Sequence, residues 1–307
     1  MTAWVKGMRR AAAGVSAVCA SAIFSTAAFA GDVLGRPTDK AIDFQPAASS
    51  LKYEAIWFHN TILLPIITII VVFVAVLLAI CVVRFNKKSN PIPAKFSHNT
   101  PIEVAWTIIP VLILMGISIF SFRLLFAYHN IPKPDLTVKA VGYQWYWGYE
   151  YPDQKIGEFT STLVKEDKLS ADQRKEGLYL LAASDPMVVP VNKVVRVQVT
   201  GADVIHAFAL PAFGLKTDAI PGRLNETWFK ADKVGDYYGQ CSELCGVDHS
   251  AMPIWIKVVS QADFDAWVAS KGPKTAPATP PATTAATAPA GAVPAASAPA
   301  AAPGATN

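Results

Sequence analysis

The densest chemistry in the chain lies in one stretch, Cys241-Ser242-Glu243-Leu244-Cys245-Gly246-Val247-Asp248-His249-Ser250-Ala251-Met252. Two thiols, an imidazole and a thioether in one loop make a soft-metal donor set. Thiolate and thioether favour copper, zinc or iron–sulfur centres, imidazole suits copper and zinc, and a methionine tilts the choice toward copper. A further histidine, His206, follows the β-patterned run from Val194 to Val204 and adds a second imidazole. Two other readings stay open on the spacing alone. Cysteines four apart in an oxidising compartment form a disulfide without help from any other residue. Two cysteines with two histidines also fit tetrahedral zinc, which would leave Met252 without a purpose.

The compartment follows from the first thirty residues. Lys6, Arg9 and Arg10 precede a small apolar core from Ala11 to Ile23, and Ala28-Phe29-Ala30 is an A-x-A cleavage site. The apolar run is shorter than the ~20 residues that span a bilayer, so residues 1–30 read as a signal peptide. The whole chain is 52% hydrophobic and 16% charged, well below the roughly 25% charge of a soluble domain, which predicts a membrane component. Its net charge of +4 is concentrated toward the N-terminus. Beyond His129 acidic side chains outnumber basic ones. With no basic stripe to neutralise phosphates, a nucleic-acid partner is excluded.

Residues 31–55 show no periodicity and are expected to form a short periplasmic N-terminal segment. A transmembrane hairpin over 56–128 follows, with helices at about 60–84 and 101–127. Its cores are the charge-free runs Ile62 to Val83 and Val104 to Phe122. Pro65 is read as lying in a first helical turn, where a missing N–H does little harm. The connection carries Arg84, Lys87, Lys88 and Lys95 and no acid before Glu103, so the positive-inside rule makes it cytoplasmic. The N-terminus and everything after residue 128 then lie on the periplasmic side of a bacterial inner membrane. Thr100 as N-cap, Pro101 at N1 and Glu103 at N3 read as a capping box. A carboxylate at the cytoplasmic edge of a membrane helix is also a candidate for proton uptake. His59, His98 and His129 lie near helix ends or in the loop and read as interfacial side chains.

From Asp135 the texture changes to short alternating runs. Leu136 to Val141 alternates, and six aromatics crowd Tyr143-Gln144-Trp145-Tyr146-Trp147-Gly148-Tyr149-Glu150-Tyr151. Further runs are Met187 to Val191, Val194 to Thr200, Glu226 to Phe229 and Ile254 to Val259. Strands at this spacing, with turn residues between them, predict an all-β sandwich or barrel over 129–271. Lys165 to Glu176 is a charged surface excursion, partly helical. A closing helix begins at Ser260 and Asp263 and turns Phe264, Trp267 and Val268 to one face. The Ala/Pro-rich tail, 272–307, is expected to be disordered.

Taken in order, the two-span hairpin, Gln144-Trp145-Tyr146-Trp147, Val204-Ile205-His206, Gly214-Leu215-Lys216-Thr217-Asp218-Ala219-Ile220-Pro221-Gly222-Arg223 and the C-S-E-L-C-G-x-x-H-x-x-M loop resemble subunit II of a bacterial haem–copper cytochrome c oxidase. The resemblance implies a membrane-anchored protein whose cupredoxin-like β domain holds a binuclear copper centre, CuA. Cys241 and Cys245 would bridge the two coppers, His206 and His249 would each bind one, and Met252 and the Glu243 carbonyl would be axial ligands. It further implies that Trp145 receives the electron from cytochrome c and that the Glu243 side chain reaches a Mg2+ shared with subunit I. Glu150 and Asp203 would dock cytochrome c, and Glu103 would lie at a proton-channel entrance. Haem in subunit I would then reduce O2 to water with proton pumping, in a complex that includes subunit III. Two other classes compete. A membrane-anchored copper-insertion protein would carry its cysteines in a thioredoxin-like βαβ pattern, absent here, and a quinol oxidase subunit II would lack the copper ligands.

Overall fold

The computed structural model describes residues 33–272. The expected signal peptide and nearly all of the expected tail lie outside the described residues.

Two long apolar helices come first. The first runs from Ser50 to Arg84 and the second from Thr100 to His129. No residue of the most apolar stretch of either is buried within the chain, so their apolar surfaces face outward as a lipid solvent requires. The first helix begins about ten residues before its expected start. Ser49 caps it, its hydroxyl accepting from the Lys52 N–H. Pro65 is therefore interior to the helix, and the six residues Phe58–Leu63 open into a π turn ahead of it. A proline ring clashes with the carbonyl four residues back, and widening the turn relieves that clash. At the second helix the cap is Asn99 in place of Thr100. Its side chain accepts from the Ile102 N–H, and Glu103 Oε1 accepts from the Asn99 N–H at 3.1 Å.

Ten strands form two five-stranded sheets. Strands β1 (Leu136–Tyr143), β2 (Tyr146–Tyr151), β3 (Ile156–Ser161), β5 (Val194–Gly201) and β8 (Asn225–Lys230) make the first, in the order β3-β2-β1-β5-β8. Strands β4 (Met187–Pro190), β6 (His206–Leu210), β7 (Leu215–Ala219), β9 (Gly235–Cys241) and β10 (Pro253–Val259) make the second, in the order β4-β10-β9-β6-β7. Neighbours pair antiparallel except β1 with β5 and β4 with β10. Strict alternation puts Val195, Val197 and Val199 of β5 inward. They meet Trp147, Tyr149, Phe208, Tyr237 and Ile256 in one core between the sheets. This is the cupredoxin-like sandwich that the sequence led one to expect. The charged excursion holds a 3-10 turn at Glu166–Lys168 and a short helix at Ala171–Lys175, and the closing helix is Gln261–Lys271, capped by Ser260.

The segment before the first helix is part of the sandwich. The Tyr238 N–H donates to the Gly35 carbonyl, the Ala48 N–H to Ala212, and the Asp232 N–H to Ala48. The Ser49 hydroxyl donates to the Phe213 carbonyl at 2.9 Å. The other end of the hairpin is held too. Trp228 on β8 donates its indole N–H to the Ala127 carbonyl at 3.1 Å, filling one of the acceptors that a helix C-terminus leaves open. Gly214, at a φ of 74°, lets Tyr128 approach so closely that a Cβ there would lie 2.7 Å from its hydroxyl. The first helix is thus tied to the Pro211–Phe213 turn that leads out of β6 and to the residues that follow β8, and the second to β8 itself.

Candidate metal centre

Strands β6 and β9 run antiparallel with Phe208 opposite Cys241, and the Ser242 N–H donates to the Ala207 carbonyl. Cys241 therefore ends its strand beside the start of β6, where His206 stands. The loop after Cys241 turns back so that the Cys241 N–H donates to the Met252 carbonyl, which lays Met252 alongside. Cys241 Sγ lies 3.9 Å from His206 Nδ1 and 3.9 Å from Cys245 Sγ. Cys245 Sγ lies 3.6 Å from His249 Nδ1, and Cys241 Sγ lies 3.3 Å from the Glu243 carbonyl oxygen. Both thiols are free, and their separation is far beyond the about 2.05 Å of a disulfide. Among the described residues the ligand atoms of His206, Cys241 and Cys245 form a group compact enough to hold a metal, and all three residues are buried. Met252 is wholly buried.

The donor set fits a soft metal. Burial, then the neighbouring Cys241 sulfur, push the Cys245 thiol up to about 12. Two adjacent buried thiols resist becoming anions together unless a cation compensates them, and metal binding supplies that cation while releasing the protons.

His206 is fixed on every side. Its Nε2 lies 2.8 Å from Asp203 Oδ1, so an Nε2–H donated there leaves the Nδ1 lone pair facing the sulfur. Asp203 also accepts from the Val204 and Gln144 backbone N–H groups, at 2.6 and 2.8 Å. Burial works upward on this carboxyl, but the hydrogen bonds outweigh it and its pKa falls below the usual value. The carboxylate expected to dock a partner is thus occupied in orienting His206. Trp147 meets the imidazole edge-on at 6.2 Å between centroids. The ring's remaining side rests on β1 at Gly142, where a Cβ would lie 2.8 Å from His206 Cδ2. His206 opens β6 and does not close the preceding strand: β5 ends at Gly201 and residues 202–205 turn the corner.

Trp145 sits half-buried in the β1–β2 turn, and its indole N–H donates to the Cys245 carbonyl at 3.3 Å. The Gln144 side-chain amide donates to the same oxygen at 2.8 Å. Gly246, at a φ of 129°, makes the approach possible, since a Cβ there would lie 3.0 Å from the indole. Gly142 was not singled out by sequence reasoning, and Gln144 entered only as part of its aromatic motif, with no role assigned. The signal for Gly142 was a glycine inside a strand, which often marks a close approach. The Glu243 carboxylate lies 3.7 Å from Lys216 Nζ on the surface. Glu150 pairs with Lys139 at 3.2 Å, a half-buried contact on the sheet surface. Glu103 lies at the far end of the hairpin, remote from the cysteine loop.

Comparison with known proteins extends these observations. Residues 136–259 match the family described as cytochrome c oxidase subunit II, periplasmic domain, and residues 37–124 its transmembrane domain. The probable cytochrome c oxidase subunit 2 of Rickettsia felis is 52% identical over 78% of this chain and 74% of its own length. The cytochrome c oxidase subunit 2 of Cereibacter sphaeroides is 45% identical over 85% of this chain and 89% of its own. A crystal structure of the periplasmic domain of subunit II of cytochrome oxidase (CoxB) of Bradyrhizobium japonicum is 62% identical, covers 46% of this chain and 96% of that one, and has a TM-score of 0.42. On the strength of both family matches and of the Rickettsia felis and Cereibacter sphaeroides relatives, the chain, a two-span membrane protein with a cupredoxin-like domain, belongs to the cytochrome c oxidase subunit II family.

Proposed function

We propose that this chain is the electron-input subunit of its oxidase, taking electrons from cytochrome c at a binuclear copper centre and passing them to haem in subunit I. The observation that carries the reading is a chain of donors, His206 Nδ1, Cys241 Sγ, Cys245 Sγ and His249 Nδ1, in which the two thiols are reduced and buried and each atom lies 3.6 to 3.9 Å from the next. Cys241 and Cys245 would hold both coppers, His206 and His249 one each, with Met252 and the Glu243 carbonyl completing the set. Bound there, a copper pair sharing two thiolates supplies one-electron redox chemistry with little change in geometry.

The chain's own residues supply the rest. Asp203 and Gly142 hold the His206 ring in one orientation, and the sandwich core excludes water from Cys241 and Met252. Trp145 offers an aromatic face toward solvent and a hydrogen bond to the Cys245 carbonyl, which makes it the point of electron input. Glu150, and the exposed part of Asp203, would attract a basic cytochrome c, an effect that weakens as salt rises. The Glu243 side chain would reach a Mg2+ shared with subunit I, and Glu103 would stand at the entrance of a proton path into subunit I. Subunit III completes the complex. The basic loop between the helices supports a bacterial inner-membrane placement with that loop cytoplasmic and both the N-terminus and the β domain periplasmic.

The test is the metal inventory and electron-spin resonance of the oxidised, purified complex. Two coppers assigned to this chain and one unpaired electron shared between them are expected. A single-copper signal, or zinc in the site, would overturn the assignment. Cys245→Ser is expected to abolish the shared-electron signal.

A further inference from the structure

The two membrane helices meet near the β-domain end of the hairpin, where Trp57 and Phe120 lie 6.2 Å apart between ring centroids. Around this contact is a groove of about 300 Å³ lined by Glu54, Trp57, Phe58, Phe120, Arg123 and Leu124. Its lower walls are aromatic and aliphatic. At its upper end stand one carboxylate on the first helix and one guanidinium on the second. Glu54 is three residues above Trp57, and Arg123 is three residues above Phe120, so at a rise of 1.5 Å per residue each lies about 4.5 Å above the ring contact. They share one height on opposite helices.

That height is the edge of the membrane. From Arg123 the next charged residue down the second helix is Glu103, twenty residues or about 30 Å away, the thickness of a bilayer's hydrocarbon core. Below Glu54 the first helix carries no Asp, Glu, Lys or Arg before Arg84, and its one imidazole, His59, lies within the next two turns. Among the described residues the ion pairs do not include Glu54 or Arg123. Trp57 is half exposed at the level where amphipathic aromatics settle between headgroups and acyl chains.

We propose that this groove binds a zwitterionic phospholipid with a primary ammonium, of the phosphatidylethanolamine class. Arg123 takes the phosphate, Glu54 takes the ammonium, and the upper acyl chain lies against Trp57, Phe58, Phe120 and Leu124. The vertical order of the groove, opposite charges above an aromatic slot, matches the order of such a lipid. A transmembrane helix of another subunit would bring apolar surface to this level and leave both charges unmatched, at a cost that buried unpaired charges make large. The inference rests on the two-span reading and is independent of the metal.

The experiment uses the purified oxidase complex, returned to nanodiscs containing equal phosphatidylethanolamine and phosphatidylglycerol. Native mass spectrometry then counts the lipids retained after detergent washing. The wild-type complex is expected to keep an additional phosphatidylethanolamine that is lost in Glu54→Gln and in Arg123→Gln. Phosphatidylglycerol retention should be the same in wild type and Glu54→Gln. Phe120→Trp, which narrows the groove and leaves both charges in place, should also shed the lipid. The copper spectrum, unchanged in all, reports that the β domain is intact. Equal phosphatidylethanolamine counts in wild type and in the variants overturn the proposal. So does retention of phosphatidylethanolamine by Glu54→Gln at the wild-type level, which would reduce the site to an anion site. A crosslink from Trp57→Cys to subunit I without lipid loss would assign the groove to a protein partner and overturn it too.

Discussion

Replacing Gly142 by alanine puts one methyl group against the imidazole of His206, and its effect can be worked from the geometry. The new Cβ would stand 2.8 Å from Cδ2, 2.9 Å from Cγ and 3.0 Å from Cβ of His206. Ordinary carbon contacts begin near 3.5 Å, so the ring must retreat by about 0.7 Å. It has little room to do so. Asp203 holds Nε2, Trp147 closes another side, and the ring is wholly buried. Overpacking of this kind costs about 1–3 kcal/mol. At roughly 2–4 °C per kcal/mol for a domain of this size, the metal-free protein should melt roughly 2–12 °C lower. A shifted ligand should also weaken copper binding by about 10–100-fold, the usual effect of disturbing a ligand's support. Copper affinity is read by competition with a chelator of known strength, and melting by circular dichroism. Gly157→Ala is the control, because a Cβ there meets nothing within 4 Å. If Gly142→Ala matched Gly157→Ala in both melting temperature and copper affinity, the claim that the β1 backbone positions His206 would be wrong.

Further outcomes concern the other supports. Trp145→Phe keeps the ring but loses the bond to the Cys245 carbonyl; stopped-flow mixing with reduced cytochrome c should show slower electron input with an unchanged copper spectrum, and an unaffected rate would return Trp145 to a packing role. Gln144→Leu removes the stronger of the two donors to that carbonyl and should destabilise the loop by about 0.5–1.5 kcal/mol. Faster hydrogen exchange of the His249 amide, which donates to the Gly246 carbonyl, would report it, and unchanged exchange would refute it. Trp228→Phe breaks the tie to Ala127; transfer from this chain to haem should slow while input from cytochrome c stays the same, and equal slowing of both would mean a general loss of stability.

The ligand loop was legible because soft donors at close spacing carry their chemistry in their types. The hairpin was legible because long charge-free runs have few alternatives. What escaped came from contacts between residues far apart in sequence. Gly142 and His206 are 64 positions apart, and Gln144 and Cys245 are 101 apart. Nothing local announces either pairing. For Asp203 the resemblance implied docking alone, and its hydrogen bond to His206, which adds an orienting role beside that one, is a contact no local pattern announces. The start of the first helix was missed for a different reason. Its opening turns, before the charge-free run that starts at Ile62, mix polar and apolar residues, so hydropathy marked only the continuous apolar part. Pro65 then read as a first-turn residue, when the helix in fact passes through it by opening a π turn.

The ties at Ser49, Ala48, Tyr128 and Trp228 bear on how the β domain can move. Hung from the membrane by residues 130–135 alone, it would swivel and tilt, and every encounter with a partner would have to freeze that motion. Fastened to both helices, it has lost most of its rotational freedom before any partner arrives. Folding has already met an entropic cost that association would otherwise carry each time. The chain therefore presents one fixed bearing of its cysteine loop relative to the bilayer normal, and any partner confined to the membrane surface needs only to find a heading.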